Sequence, residues 1–316
     1  MKIAILNECF FKQGHIDRLK KLGEIVSYKD TDNEEKTIHR LQNIDIAIAD
    51  QFIAKFNKNV LENVKKLKLL ALNTTSFAYV DLKTANARGI KVSNLPGFSK
   101  QSVAEFAIGL MFAVNRKIAF GDRFMREAPF ELDPGNKDHQ KFIGFDIKGK
   151  TLGVIGLGNI GTVVAQLGLS LGMNVVAFNR SPKKIRGVKM LNLNEVLKVS
   201  DVISIHLALN SDTKNLISNE EFELMKPNSI LINTAQPEIV NTEALYNAIK
   251  SNKISGVGID IGTMIKTDHP LFKLENVVIT PHAGSFTEES FFVNLPRMII
   301  ENVESFVKGK PINVVN

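Results

Sequence analysis

Residues 156 to 161 read Gly156-Leu157-Gly158-Asn159-Ile160-Gly161, a Gly-x-Gly-x-x-Gly spacing that suits a dinucleotide pyrophosphate. The spacing alone is a weak signal, because a glycine-rich turn can be only a turn. Its setting gives it force. The strand-like run Leu152–Ile155 precedes it, the small-residue helical pattern Thr162–Leu171 follows, and a second strand, Val175–Phe178, closes a βαβ unit. In that setting Gly156 permits the tight turn, Gly158 lets backbone approach a pyrophosphate, and Gly161 allows close helix–strand packing. The helix start at Asn159 and Ile160 offers N–H groups and the positive end of a dipole to the phosphates.

The end of the second strand selects the dinucleotide. An NAD site needs a carboxylate there for the ribose hydroxyls. This chain has neutral Asn179, then Arg180 and Ser181. A carboxylate would repel a 2′-phosphate, whereas Arg180 can grip it in a charge-assisted pair and Ser181 can donate a further bond. NADP (NADPH) is therefore the expected cofactor, with NAD possible. The plainer alternative is that Arg180, Lys183 and Lys184 belong to a solvated loop.

Elements of a particular kind must position these residues. In the first hundred residues, strand-like runs at Ile3–Leu6, Ile44–Ala49, Leu69–Leu72 and Ile90–Val92 alternate with helical patterns at His15–Leu22, Glu34–Leu41, Asn59–Lys66 and Val80–Arg88. Such alternation predicts parallel sheets with helices on their faces. Ser102-Val-Ala-Glu105 reads as a capping box opening the next helix. Residues 119 to 149, charged and broken by Pro129, Pro134, Gly135 and Gly144, read as a surface excursion. A second series follows from Thr151, with strands expected at Val154–Ile155, Val175–Phe178, Val202–His206, Ile230–Asn233, Gly256–Ile259 and Val277–Ile279. A last helix is expected over Glu288–Val307, returning to complete the first domain.

The chain has 316 residues, 44% hydrophobic and 23% charged, which excludes a disordered or collagen-like protein and allows two domains. Its net charge of +7 is spread among acidic residues, so no nucleic-acid partner is expected. The single cysteine, Cys9, cannot form an internal disulfide, and no metal site is assigned. From Thr151 to Asn179 there is no charged side chain, long enough to mimic a membrane span. Its glycines and polar residues instead predict strand–turn–helix–strand, so no membrane partner is expected and the protein is placed in the cytoplasm. His206 reads as a wall of the nucleotide pocket or a core residue, and His269 as a loop partner of Asp268.

Several ordered blocks carry a resemblance. They are Val80–Val92, Ser102-Val-Ala-Glu105, Gly149–Gly161, Leu224-Met-Lys-Pro227, Ile232-Asn-Thr-Ala235 and Val278-Ile-Thr-Pro-His-Ala-Gly284. Over nearly its full length the chain resembles the D-isomer-specific 2-hydroxyacid dehydrogenases, the family of glyoxylate and hydroxypyruvate reductases and phosphoglycerate dehydrogenase. The resemblance implies an α/β fold of two Rossmann-like domains with parallel sheets, a cleft active site and a homodimer. It divides the chain into a flavodoxin-like substrate domain, 1–100 with 284–316, and a dinucleotide-binding domain, 101–283.

The same resemblance assigns roles. His282 matches the histidine that exchanges a proton with the substrate oxygen, and Thr234, Ala235 and Asp260 fall at the cofactor. Two family positions are changed. The arginine that follows Asn-Thr-Ala is Gln236 here, and the glutamate that favours the histidine's cationic form is Ile265. Gln236 donates hydrogen bonds but cannot form a two-pronged ion pair with a carboxylate. Lys266 or Thr263 are candidates to take over one lost role. The family's glycine-rich substrate loop is replaced by Thr74-Thr-Ser-Phe-Ala-Tyr79, so N–H groups near Thr75 and Ser76, with Gln236, are expected to hold the substrate. The implied function is NAD(P)-dependent hydride transfer to or from a small 2-hydroxy or 2-keto acid, or a related carbonyl, through an atypical site with His282 and Gln236 as its catalytic pair. The alternative is a catalytically impaired, nucleotide-binding regulatory protein.

Overall fold

The computed structural model describes residues 1–7, 9–127, 137–260 and 268–316. Two compact units divide the chain, Met1–Ser99 with Phe286–Asn316, and Lys100–Ser285.

In the first unit, β1 (Lys2–Leu6), β2 (Glu24–Tyr28), β3 (Ile46–Ala49), β4 (Leu69–Leu72) and β5 (Lys91–Ser93) form a parallel sheet in the order β2-β1-β3-β4-β5. The central strands are buried on both faces, which is why they read as unbroken apolar runs. The C-terminal helix Leu295–Val307 completes this unit. Its Leu295, Ile299, Ile300 and Val303 pack against Ile3, Ile5, Ile46, Ile48 and Leu69. Each such side chain contributes about 1.5–3 kcal/mol of burial.

In the second unit, β6 (Thr151–Ile155), β7 (Asn174–Phe178), β8 (Val188–Met190), β9 (Val202–Ile205), β10 (Ile230–Asn233), β11 (Gly256–Asp260) and β12 (Val277–Thr280) pair in parallel. Their order is β12-β11-β10-β9-β6-β7-β8, so the direction of winding reverses between β6 and β9. The fold is α/β with two Rossmann-like units. Among the described residues no helix is long and apolar enough to cross a membrane. The uncharged segment after Thr151 forms β6, the helix Asn159–Ser170 and β7.

Some local expectations need correction. β2 and β8 were not foreseen: both are edge strands, mostly half-buried or exposed, and their mixed polarity hides them. Ser102 does not cap a helix. The turn over 96–99 runs straight into the helix Lys100–Asn115, so Ser102 is a buried residue of its first turn. The last helix is not uniform. A π-helical turn, Glu289–Asn294, precedes the α-helix, where Pro296 has no N–H to give and its ring crowds the preceding turn.

Part of the expected surface excursion is a helix, Ile118–Glu127, with no buried residue; its Phe120 and Phe124 meet Phe142 at centroid distances of 5.3 and 5.5 Å. Pro129, Pro134 and Gly135 lie outside the described residues.

Candidate active site

The registers of the second sheet decide what lies side by side. Ile155 pairs with Ile205, Ile205 with Asn233, Asn233 with Ile259, and Asp260 with Thr280. The residues that leave these strands therefore share one carboxyl edge, with neighbouring strands about 4.8 Å apart. Gly156, His206, Thr234, Asp260 and the turn bearing His282 all belong to it.

The glycine turn shows why each glycine stands where it does. Gly156 has φ of +98°, and a Cβ there would lie 2.6 Å from the His206 carbonyl oxygen. A Cβ on Gly161 would lie 1.9 Å from the Gly156 carbonyl oxygen. Around Gly158, in contrast, a Cβ would meet nothing within 4 Å. Gly158 caps the helix Asn159–Ser170, whose first N–H groups have no partner within the helix. This open space in front of free donors fits a pyrophosphate.

Asn179 braces the turn. Its Oδ1 accepts the Leu157 N–H at 2.9 Å, and its Nδ2 donates to the Ser181 carbonyl at 2.7 Å. The Lys183 ammonium donates to the Leu157 carbonyl. In sequence, Asn179 reads only as a neutral residue at the cofactor position where an NAD site carries its carboxylate, and Lys183 as a loop charge. Neither brace has a signal in residue order, because both depend on how the β7 end folds back. The Arg180 side chain is 84% exposed and lies 3.8 Å from Asp212. His206 Nε2 is 2.8 Å from the Ser204 hydroxyl, and burial pushes the His206 pKa down to about 3. Its ring is neutral at pH 7 and forms part of the wall under the glycine turn.

After β10, Asn233 Oδ1 accepts the Ala235 N–H at 3.0 Å, and its Nδ2 donates to the Gln236 carbonyl at 3.4 Å. These bonds curl the strand end. The Thr234 hydroxyl is buried and has no hydrogen-bond partner among the described residues, an orphaned donor that a bound ligand can satisfy. Gln236 is half-buried and precedes the 3₁₀ turn Pro237–Ile239.

Asp260, 4% exposed, accepts hydrogen bonds from the His282 turn on both carboxylate oxygens. Oδ1 accepts from the Thr280 hydroxyl at 2.6 Å and the Ala283 N–H at 2.8 Å, and Oδ2 accepts the Gly284 N–H at 2.8 Å. His282 itself is exposed, at φ +59°. Ile265, Lys266 and Thr263 lie outside the described residues. His269 pairs with Glu243 at 3.2 Å rather than with Asp268, because its Nδ1 accepts the Leu271 N–H of the 3₁₀ turn Pro270–Lys273 and its Nε2 meets Glu243.

Thr75 and Ser76 lie in the first unit, at the carboxyl edge of its sheet. Their side chains serve the loop itself: the Thr75 hydroxyl donates to the Leu95 carbonyl at 2.9 Å, and Ser76 Oγ accepts the Ala78 N–H at 3.3 Å. Gln51, fully buried, ties the loop to the end of β3 by accepting the Tyr79 N–H at 3.0 Å. Beside it, burial pushes the Asp50 carboxyl above the usual carboxylate range, against the opposing bond from the Phe52 N–H.

Comparison with known proteins bears on both units. The family model for the NAD-binding domain of D-isomer-specific 2-hydroxyacid dehydrogenases matches residues 108–284. A glyoxylate reductase of Thermococcus litoralis is 34% identical over 95% of this chain and 93% of its own length. A hydroxypyruvate reductase of Blautia hydrogenotrophica is 30% identical over the whole of both chains. The solved structure of an acyclic imino acid reductase (Bsp5) in complex with NADPH and D-Arg superposes with a TM-score of 0.89, at 36% identity and full coverage of both chains. The chain belongs to the D-isomer-specific 2-hydroxyacid dehydrogenase family and is an NAD(P)-dependent oxidoreductase.

Proposed function

We propose that the protein is an NADPH-preferring reductase acting at carbon 2 of a 2-oxo acid or of the imine such an acid forms with an amine. The observation that carries the reading is the neutral Gln236 directly after Asn233-Thr-Ala, beside the retained His282 and Asp260. When bound, the nicotinamide supplies the hydride. The chain's own residues do the rest. Gly158 and the N–H groups of Asn159 and Ile160 hold the pyrophosphate, Arg180 and Ser181 hold the 2′-phosphate, and Thr234, Ala235 and Asp260 orient the nicotinamide end. N–H groups at Thr75 and Ser76 hold the substrate carboxylate, and Gln236 donates to it. His282 gives a proton to the substrate oxygen as the C=O is reduced.

The imine branch has its own support. A protonated imine is already a cation, so it needs no proton from His282 to accept a hydride, and an arginine beside it would repel it. Losing the arginine, and the glutamate that favours a cationic histidine, is then adaptive rather than damaging. The NADPH and D-Arg bound by the similar imino acid reductase agree with both parts of the reading. The regulatory alternative is not favoured, since similar chains are named as reductases and dehydrogenases.

The test is a product analysis. Protein, NADPH and a panel of 2-oxo acids are incubated with and without methylamine, and 2-hydroxy and N-methylamino acids are separated by chromatography. Formation of either product supports the reading, with the ratio naming the branch. No product from any pair counts against it.

A further inference from the structure

The first unit holds, at the carboxyl edge of its sheet, acceptors with no cation assigned to them. Its strand order reverses between β1 and β3, and crevices at such reversals are where open α/β sheets bind ligands. Asp50 leaves β3 at this point. Oδ1 accepts the Phe52 N–H at 2.8 Å, and the Asn73 amide, whose Nδ2 lies 4.0 Å from Cys9 Sγ, is close enough to favour the charged carboxylate. Among the described residues no lysine or arginine forms an ion pair with it. Lys55 acts on it only from further away, with its ammonium 4.8 Å from the Tyr79 ring centroid and donating to the Phe52 carbonyl. On the neighbouring strand end, Asn73 is 7% exposed, and its Oδ1 is buried without a hydrogen-bond partner among the described residues. Phe52 and Tyr79 meet edge to face at 5.6 Å, each ring about half exposed.

A carboxylate, an orphaned amide oxygen and exposed aromatic faces make a site rich in acceptors. The group that suits them carries only donors and a positive charge, as a guanidinium or an ammonium does. The Lys55 ammonium on Tyr79 already shows a cation resting on one of these rings. If Asp50 only capped the Phe52 turn, the buried Asn73 oxygen beside it would stay unexplained.

We infer that Asp50, Asn73 and the rings of Phe52 and Tyr79 form a subsite for the cationic far end of the substrate. This rests on the reading that Thr75 and Ser76 hold the substrate carboxylate. Gln51 makes both places one rigid piece: its Oε1 accepts from Tyr79, and its Nε2 lies 3.5 Å from the Thr74 hydroxyl. The substrate class is then a 2-oxo acid, or its imine, with a guanidinium or ammonium at the end of an aliphatic chain.

The experiment compares kcat/KM with NADPH for 5-guanidino-2-oxopentanoate and for uncharged 2-oxopentanoate. The wild type should prefer the guanidino acid by about tenfold or more, the scale of a charge-assisted bond. Asp50→Asn should bring the ratio close to one, and Asp50→Arg should shift the preference to 2-oxoglutarate. A wild-type ratio at or below one overturns the subsite and needs no variant. So does an equal ratio in wild type and Asp50→Asn. If neither acid is turned over, the proposed function fails separately. Calorimetric titration with the guanidino acid then decides the subsite: binding lost in Asp50→Asn sustains it, and equal binding overturns it.

Discussion

Asp260 and His282 are joined through the backbone rather than through their side chains. Asp260 Oδ1 accepts the N–H of Ala283, the residue after His282, at 2.8 Å, and Oδ2 accepts that of Gly284 at 2.8 Å. His282 sits at φ +59°, a region that non-glycine residues rarely adopt. A buried carboxylate with two backbone donors and the Thr280 hydroxyl holds the turn in that conformation.

Asp260→Asn puts amide hydrogens where one of the two N–H groups, Ala283 or Gly284, needs an acceptor. Stability should fall by about 1–3 kcal/mol. The rate of cofactor oxidation at saturating substrate should fall further, by about a hundredfold, because a displaced His282 loses its alignment. Thermal unfolding and single-turnover rates on the same preparation check both. A change in stability with no change in rate would remove Asp260 from the positioning of His282.

Gly158 and Gly161 should respond in opposite ways to alanine. Gly161→Ala brings Cβ to 1.9 Å of the Gly156 carbonyl oxygen, so the turn must open and the fold loses about 2 kcal/mol or more. Gly158→Ala meets open space, and the fold should change by no more than about 1 kcal/mol, the scale of an N-cap effect. NADPH affinity should nevertheless collapse, since the proposed function brings the pyrophosphate into that space. Unfolding midpoints and NADPH titrations separate the two.

The glycine fingerprint was legible because strand, turn and helix are consecutive in the chain, so spacing and setting are read together. The place of His282 at the sheet's carboxyl edge was legible only through resemblance, since Thr-Pro-His-Ala-Gly has no chemistry of its own until a fold places it. The brace from Asp260 was not legible. It joins residues more than twenty positions apart, and only the register of β11 with β12 brings them into contact. Edge strands β2 and β8 escaped for a related reason: strands that neighbour solvent carry no unbroken apolar run.

Arg180→Ala should weaken NADPH by about tenfold or more, the value of a charge-assisted contact with a phosphate, and leave NADH nearly unchanged. The exposed guanidinium carries little stability, so unfolding should not move. Fluorescence titrations with both cofactors give the answer. Equal losses for the two would assign Arg180 to something other than the 2′-phosphate.

His206 gives a pH signature. Its folded pKa of about 3 lies below the unfolded value of 6.5, so the unfolded chain takes up the proton first as pH falls. Its stabilising contribution is complete above pH 6.5 and is lost as pH drops toward 3, at up to about 1.4 kcal/mol per pH unit. His206→Gln should flatten the stability loss between pH 6.5 and 4.5 by roughly 2–3 kcal/mol, read from denaturant unfolding at the two pH values. A loss as steep as the wild type's would show that His206 does not stay neutral in the fold.

The most direct test of the central claim is a single-turnover experiment with protein in excess over NADPH, following the reduced cofactor's emission as a panel of 2-oxo acids is added, with and without an amine. The account predicts an emission that shifts or strengthens on binding and then disappears with at least one acid or its imine. Emission unchanged by the protein, or changed by binding but never lost across the panel, would contradict it.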